Sequence, residues 1–299
     1  MVRLSLVIPT YNRSSQLLTT LSYVIEQSAD SKLWECIIVD NNSQDDTHLT
    51  IATFIAEHPE VNLRYAFEPK QGLSHARNCG IAQSQGDIVA FIDDDESIVP
   101  EFVQSYIDLF DTHADAWAAG GRIVAQYQSG APRWISKYVA QPIANPMDFG
   151  RKIKPFPRRR CPGGGNMAVR RELFDRIGLF DTELGRKGRS LVGGEECDLV
   201  ERIREQRLPI YYVPDAVIYH RIYDEKLTEE YTKRLFFNIG VSHRLRAKGG
   251  GRMLVAYMAE CCKWGATLLL CLVHRPAQSR YLLKMRWNIS RGLIRGGRE

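Results

Sequence analysis

Ile88-Val89-Ala90-Phe91-Ile92-Asp93-Asp94-Asp95-Glu96-Ser97-Ile98-Val99-Pro100 decides how this chain is read. The apolar run from Ile88 to Ile92 has the character of a buried strand, and it delivers three acids at its carboxyl end. In open α/β sheets that end faces the ligand crevice. Along an extended chain, side chains at i and i+2 share a face. Asp93 and Asp95 are therefore predicted to converge while Asp94 points elsewhere. Three carboxylates in one place repel one another and cost desolvation energy unless a cation or donor groups compensate. The pattern suits a hard divalent ion, Mg2+ or Mn2+, that keeps positions open for substrate phosphate oxygens. Taken alone, the same stretch reads rather as a solvated acidic turn.

Working outward, strands alternate with helices. Leu4–Pro9, Trp34–Val39 and Val61–Phe67 read as strands. The helices between them place Leu17, Leu18, Leu21, Val24 and Ile25, then Leu49, Ile51, Phe54 and Ile55, as their apolar positions. Leu73–Gln83 is the next helix, and Pro100 suits the first turn of another. This alternation predicts βαβ crossovers: an α/β fold with a Rossmann-like, mainly parallel sheet flanked by helices. Regularity weakens after residue 116. A long irregular stretch, 129–161, and a glycine-rich loop, 185–194, are natural lids. Helices are expected at about 228–248, 252–273 and 278–295. The expected division is a catalytic domain over 1–222 (a nucleotide half to 115, a catalytic half after it) and a helical extension over 223–299.

The 299 residues are 44% hydrophobic and 25% charged, ordinary values for a folded protein. Seven cysteines without CxxC spacing fit reduced thiols better than a disulfide framework or a zinc site. The net charge of +5 is unevenly spread. Residues 244–299 hold twelve Lys or Arg against Glu260 and Glu299, a net +10, so the remainder carries −5. A basic tail on a mildly acidic body invites an anionic surface.

The segments VIPTYNR (7–13), IIVDNNSQDDT, EPKQGLSHARNCGI, AFIDDDESIVP, GGGNMAVRRELFDRIGLFD and GGEECDLVERI occur in order over roughly residues 4–221. Together they resemble the family 2 glycosyltransferases of bacterial polysaccharide type, which have the GT-A fold. The resemblance implies a donor nucleotide site at Pro9, Thr10, Tyr11, Arg13, Asp40, Asn42, Lys70, Arg77, Asp93 and Asp94. It implies metal binding at Asp95, with Asp93 and His220 as further candidates. Gly164, Gly165 and Asn166 would line the sugar and acceptor pocket, with Trp134 as a stacking candidate or a lid-packing residue.

An acceptor hydroxyl needs a base. Glu196 shares a helical face with Leu199, Val200 and Ile203, the stripe expected to pack inward, whereas Glu195 stacks over Asp198 and Arg202. Glu196 is therefore the expected base and Glu195 the runner-up. The resemblance agrees, because the second acid of the family's pair plays that part, although Glu replaces the usual Asp. Lys152, Lys154, Arg158, Arg159 and Arg160 form a basic run that suits an acceptor diphosphate or a solvated loop. Met253–Val273 is apolar but interrupted by Glu260 and Lys263. It reads as an amphipathic helix in the membrane interface, anchored by Trp264 and flanking Arg.

The expectation is a metal-dependent inverting hexosyltransferase. It would move sugar from a nucleoside diphosphate donor to a saccharide, lipid-linked for preference, at the cytoplasmic face of the cell membrane, with no nucleic-acid partner. Two alternatives are weighed: a sugar nucleotidyltransferase, disfavoured because VIPTYNR lacks a glycine-rich phosphate loop, and a noncatalytic nucleotide-sugar-binding protein.

Overall fold

The computed structural model describes residues 1–188, 190–247 and 249–296. Arg189 in the expected lid, and Lys248, Arg298 and Glu299 in the basic tail, lie outside the described residues. Two compact units emerge. The first comprises residues 1–124, 147–182 and 195–221; the second comprises 125–146, 183–194 and 222–299. The helical unit thus takes in 125–146 and 183–194, stretches that the sequence reading assigned to the catalytic half.

The first unit is built on a sheet ordered β3-β2-β1-β4-β8-β6-β9-β5, with β7 against β9. The strands are β1 Leu4–Thr10, β2 Trp34–Asp40, β3 Leu63–Phe67, β4 Ile88–Phe91, β5 Glu96–Ile98, β6 Ala118–Tyr127, β7 Lys154–Pro155, β8 Met167–Arg170 and β9 Ile210–Ile222. β3, β2, β1 and β4 are mutually parallel, while β8 runs antiparallel to both β4 and β6. The sheet is therefore mixed, with its parallel half where the βαβ alternation was read. All seven residues of β1 and of β2 are buried, as expected for central strands covered on both faces by helices. The helices are α1 Ser14–Val24, α2 Thr47–Glu57, α3 Leu73–Gln83, α4 Phe102–Thr112, α6 Leu173–Ile177 and α7 Glu195–Glu205. β9 is one long strand running through Pro214.

One expectation about the cysteines is corrected. Cys161 and Cys197 are disulfide-bonded, with Cα atoms 5.4 Å apart. Their separation of 36 residues, without any metal-type spacing, hid the pair.

The second unit is helical: α5 Lys137–Ala144, α8 Glu229–Arg246, α9 Gly250–Val273 and α10 Pro276–Arg295. Thr228 caps α8, its hydroxyl accepting from Tyr231 N at 3.3 Å. α8 and α10 cross closely because Gly240 and Gly292 have no side chains. A Cβ on Gly240 would strike Ile289 O, and one on Gly292 would strike Phe237 O. α9 docks on α10 through polar groups. Arg286 Nη1 donates to both Glu260 oxygens (3.2 and 3.0 Å), Ser290 Oγ donates to Glu260 Oε1 (2.8 Å), and Trp264 Nε1 donates to Ser290 Oγ (2.9 Å). Glu260, which seemed to interrupt an apolar helix, is 6% exposed and turned inward. Trp264 faces α10 too, so it is not an outward anchor. Trp134 stacks on Tyr281 at 4.0 Å, packing within this unit rather than standing open for a sugar.

His243 on α8 is pushed down to about 4 by burial, then by Lys263 and Arg246. A histidine held neutral in the fold but protonated on unfolding below about 6.5 gives stability that is present above that pH and lost as pH falls towards 4. A series of melting curves from pH 7.5 to 4.5 will show a decline below pH 6.5 that His243→Gln flattens.

Candidate active site

The register of the parallel strands sets the rim of the site. Thr10 lies beside Asp40, and Asp40 beside Phe67, so the carboxyl ends of β1, β2 and β3 finish level. Asn12 and Asn42 follow in left-handed conformation (φ 52° and 65°), which asparagine tolerates better than most residues. They turn the chain from strand towards helix, and their loops are tied together. Asn12 N donates to Ser43 Oγ (3.0 Å), and Gln44 N donates to Asn12 Oδ1 (2.7 Å). Buried Asn41 secures the third loop, donating to Lys70 O (2.8 Å) and accepting from Gly72 N (2.7 Å). Asp40 is buried at this rim, accepting from Ser43 N (2.9 Å) and Tyr65 OH (3.3 Å). Pro9 is buried and Tyr11 half-buried alongside, while the Lys70 side chain is exposed.

The three aspartates do not share out as an extended chain would. β4 ends at Phe91, and Asp94 and Asp95 lie in a turn, where side-chain alternation lapses. Asp94 and Asp95, not Asp93 and Asp95, meet at one cation. Arg13 Nη1 lies 2.7 Å from Asp94 Oδ1 and 3.2 Å from Asp95 Oδ2. Thr10 Oγ1 also donates to Asp94 Oδ2 at 2.9 Å. Burial pushes the Asp94 carboxyl up against the pull of Arg13, and Asp95 adds its repulsion. The turn is braced from behind. Thr20 Oγ1 donates to Asp94 O (2.8 Å), Arg221 N to Asp95 O (3.1 Å), and Arg221 Nη2 to Thr20 Oγ1 (2.7 Å). Arg221 carries no sequence signal beyond its place at the end of β9. β5 pairs with β9 so that Glu96 lies opposite His220, and His220 Nε2 comes 3.8 Å from Asp95 Oδ1.

Asp93 turns the other way, to Arg77. Expected to touch the donor, Arg77 is instead 1% exposed, with Nη2 on Asp93 Oδ1 (2.9 Å) and Nη1 on Glu195 Oε1 (2.6 Å). Its guanidinium carbon lies 5.7 Å from the centre of the Phe180 ring. Burial alone would lower the Arg77 pKa, but Asp93, Glu195 and Glu196 outweigh it and push it up. Arg77 is a permanently charged strut between the aspartate turn and the first turn of α7.

Glu195 is consequently the more buried of the two acids, at 3%, whereas Glu196 is half-buried. The helical periodicity holds through Leu199, Val200 and Ile203, all buried, but fails at the first turn. There the counter-charge of Arg77 decides which acid goes in, and the premise that Glu195 is the solvated one is corrected.

The GGGN segment is packed rather than open. A Cβ on Gly164 would lie 2.7 Å from Arg77 Nη2, and one on Gly165 would fall on the carboxylate oxygens of Glu96. Glu96, unremarked in the sequence, accepts from Asp93 N at 2.9 Å and is pushed well up by burial and then by Asp93. Asn166 was expected to line a pocket. Its side chain is fully buried, accepting from Tyr106 OH (2.6 Å) and donating to Arg122 O (2.9 Å) and Ala216 O (3.0 Å). A buried amide takes all the partners it can reach, and these are in the core.

Among the described residues no three His, Cys, Asp or Glu side chains are gathered closely enough to hold a metal ion, so the aspartate turn supplies a partial donor set. Asp94 and Asp95 already gather around one positive group, and an imidazole nitrogen stands beside Asp95 Oδ1.

Residues 5–178 match the family model for glycosyl transferase family 2. Among curated proteins the chain is 25% identical over 248 residues to a glucosyl-dolichyl phosphate glucuronosyltransferase of Haloferax volcanii, covering 82% of this chain and 77% of that one. It is 24% identical to the succinoglycan biosynthesis protein ExoM of Rhizobium meliloti, over 78% of this chain and 72% of that protein. Among solved structures, the mannosyltransferase PcManGT of Pyrobaculum calidifontis, in complex with GDP-Man and Mn2+, superposes with a TM-score of 0.64 at 17% identity. That match covers 98% of this chain and 86% of the other. Residues 1–349 of TarS from S. aureus, with UDP, give 0.56 at 19% identity, over 80% of this chain and 65% of that one. The family model spans well over half the sequence, and the mixed sheet with its flanking helices is the GT-A architecture of these neighbours; the chain belongs to glycosyl transferase family 2 and is a glycosyltransferase.

Proposed function

We propose that this chain transfers a hexose, with inversion, from a nucleoside diphosphate donor to a hydroxyl of a saccharide. The acceptor is lipid-linked and the location is the cytoplasmic face of the cell membrane. One observation carries the reading: Arg77 joins Asp93 to Glu195 within one unit, which supports a single site drawn from the aspartate turn and the first turn of α7. Asp40, Thr10, Pro9 and Tyr11 form the rim for base and ribose. Arg13 is 35% exposed at its side chain and stands at the mouth of the acids, from where it reaches a donor phosphate. A divalent ion held by Asp95 and His220, when bound, supplies charge stabilisation for the departing diphosphate.

Glu196 receives the acceptor's proton. Glu195 is already occupied, its Oε1 accepting from Arg77 Nη1 at 2.6 Å, whereas Glu196 is the less buried of the two acids. Glu196 lies in the first turn of α7 and is half-buried. A single displacement inverts the anomeric centre, and no second nucleophile is needed. Complexes of the fold neighbours with UDP and with GDP-Man and Mn2+ support the donor class, and the dolichyl phosphate substrate in the name of the Haloferax relative supports a lipid-linked acceptor. The outward apolar face of α9 supports the membrane location.

The test is a panel of nucleotide-sugars with and without Mn2+, read by thermal shift and by slow donor hydrolysis. At a concentration of about 100 times Kd, the right donor with Mn2+ raises the melting temperature by about 5 °C. Asp95→Asn removes the dependence on the cation. No shift with any nucleotide-sugar would overturn the reading.

A further inference from the structure

α9 is long and apolar enough by length and composition to cross a bilayer, yet its two sides differ. Glu260, Thr267 and Trp264 face inward, whereas Leu254, Val255, Met258, Leu268, Leu269, Leu272 and Val273 are 56–81% exposed. At 100° per residue these exposed positions fall within an arc of about 140°, without a charge, along about 29 Å. A helix pinned along its length by the Glu260–Arg286 pair lies flat on a membrane rather than through it.

The faces of α10 continue the pattern. Arg286 and Ser290 meet α9. Next around the helix come Leu283, Trp287 and Ile294, all exposed, with Trp287 at 59% and Ile294 at 62%. Beyond them stand Arg291 and Arg295, which face α8 across a groove of about 360 Å³. α8 contributes Lys233, Arg234 and Glu230, the only lining carboxylate among the described residues, and Phe237 of α8 with Asn288 of α10 forms the buried base. Arg291 is already oriented: its guanidinium carbon lies 5.9 Å from the Phe237 ring centre and its Nη1 donates to Asn288 Oδ1 at 3.4 Å. Lys233, Arg291 and Arg295 gather positive charge at this groove, with Glu230 in its lining and Glu229 near Lys233, and an anion with several acceptor oxygens complements that charge.

We infer that the α8–α10 groove binds the phosphate headgroup of an anionic membrane lipid, while Trp287, Ile294 and the outer face of α9 enter the apolar layer beside it. This rests on the membrane reading above. A free phosphate ester would satisfy the cations but has no use for an apolar strip running alongside them on the same helix. A phospholipid presents both chemistries in that order.

The experiment uses the full chain and vesicles of phosphatidylcholine with and without phosphatidylglycerol, read by co-sedimentation. Two charge-matched variants are compared: Arg291→Gln with Arg295→Gln in the groove, and Arg275→Gln with Arg280→Gln outside it. The parent pellets with phosphatidylglycerol vesicles, and the groove variant loses about tenfold more affinity than its control. Equal losses overturn the groove assignment and leave the membrane reading standing. If the parent fails to bind either vesicle, the membrane reading itself falls. Inorganic pyrophosphate is the third arm. Protection of the parent by pyrophosphate, lost in the groove variant while vesicle binding is unchanged, would assign the groove to a soluble phosphate ester and overturn the lipid.

Discussion

Glu196→Gln lowers kcat by about a thousandfold while donor KM and thermal stability stay close to the parent's. The size follows from the usual worth of a positioned general base, about 10²–10⁴. The selectivity follows from position: Glu196 is half-buried at the head of α7, and it is Glu195 that pairs with Arg77 at 2.6 Å. Glu195→Gln is a different experiment. It removes the charge that Arg77 needs at 2.6 Å, so stability falls along with activity. Steady-state kinetics and a denaturation curve on each variant separate the two. A thousandfold loss in Glu195→Gln with unchanged stability, beside an active Glu196→Gln, would exchange their roles.

Arg77→Met carries the largest expected stability effect, about 3–5 kcal/mol, because it leaves Glu195 charged and buried without its partner. The ion pair need not be strong in net terms for this to hold; the cost lies in the orphaned carboxylate. Adding Glu195→Gln to Arg77→Met therefore recovers part of the loss, and the double-mutant cycle gives a coupling above about 1 kcal/mol. Urea titration of the four proteins measures it. Additive losses would show that Arg77 is not the strut its distances describe. Donor affinity is a further check, since an arginine sealed from solvent cannot contact a nucleotide directly.

Much of the fold was legible because buried parallel strands and amphipathic helices carry their periods in the sequence. Strand direction was readable for the same reason, and it brings Thr10, Asp40 and the residues after Phe91 to one edge of the sheet. What escaped was set by partners distant in the chain. Asp94 joined Asp95 because the strand stops at Phe91 and the next residues turn. Arg77 and Glu195 are 118 residues apart, so neither the burial of one nor the inward turn of the other shows in a local pattern. Asn166 looked like a pocket residue within a glycine-rich motif, yet the amide is claimed by the backbones of β6 and β9. Glu260 was counted as a charge in an apolar helix when the relevant fact was its direction. In each case hydropathy told what a residue is, and tertiary contacts decided where it points.

Gly164 and Gly165 press bare backbone onto the strut and onto Glu96. Any change of sugar preference, through natural drift or laboratory selection, has to bypass these two positions, since even a methyl group there displaces the charged scaffold beneath. Diversity that retunes the enzyme must come from the exposed loops around the rim. A library randomised across the motif would return mainly glycine at both sites and little altered specificity.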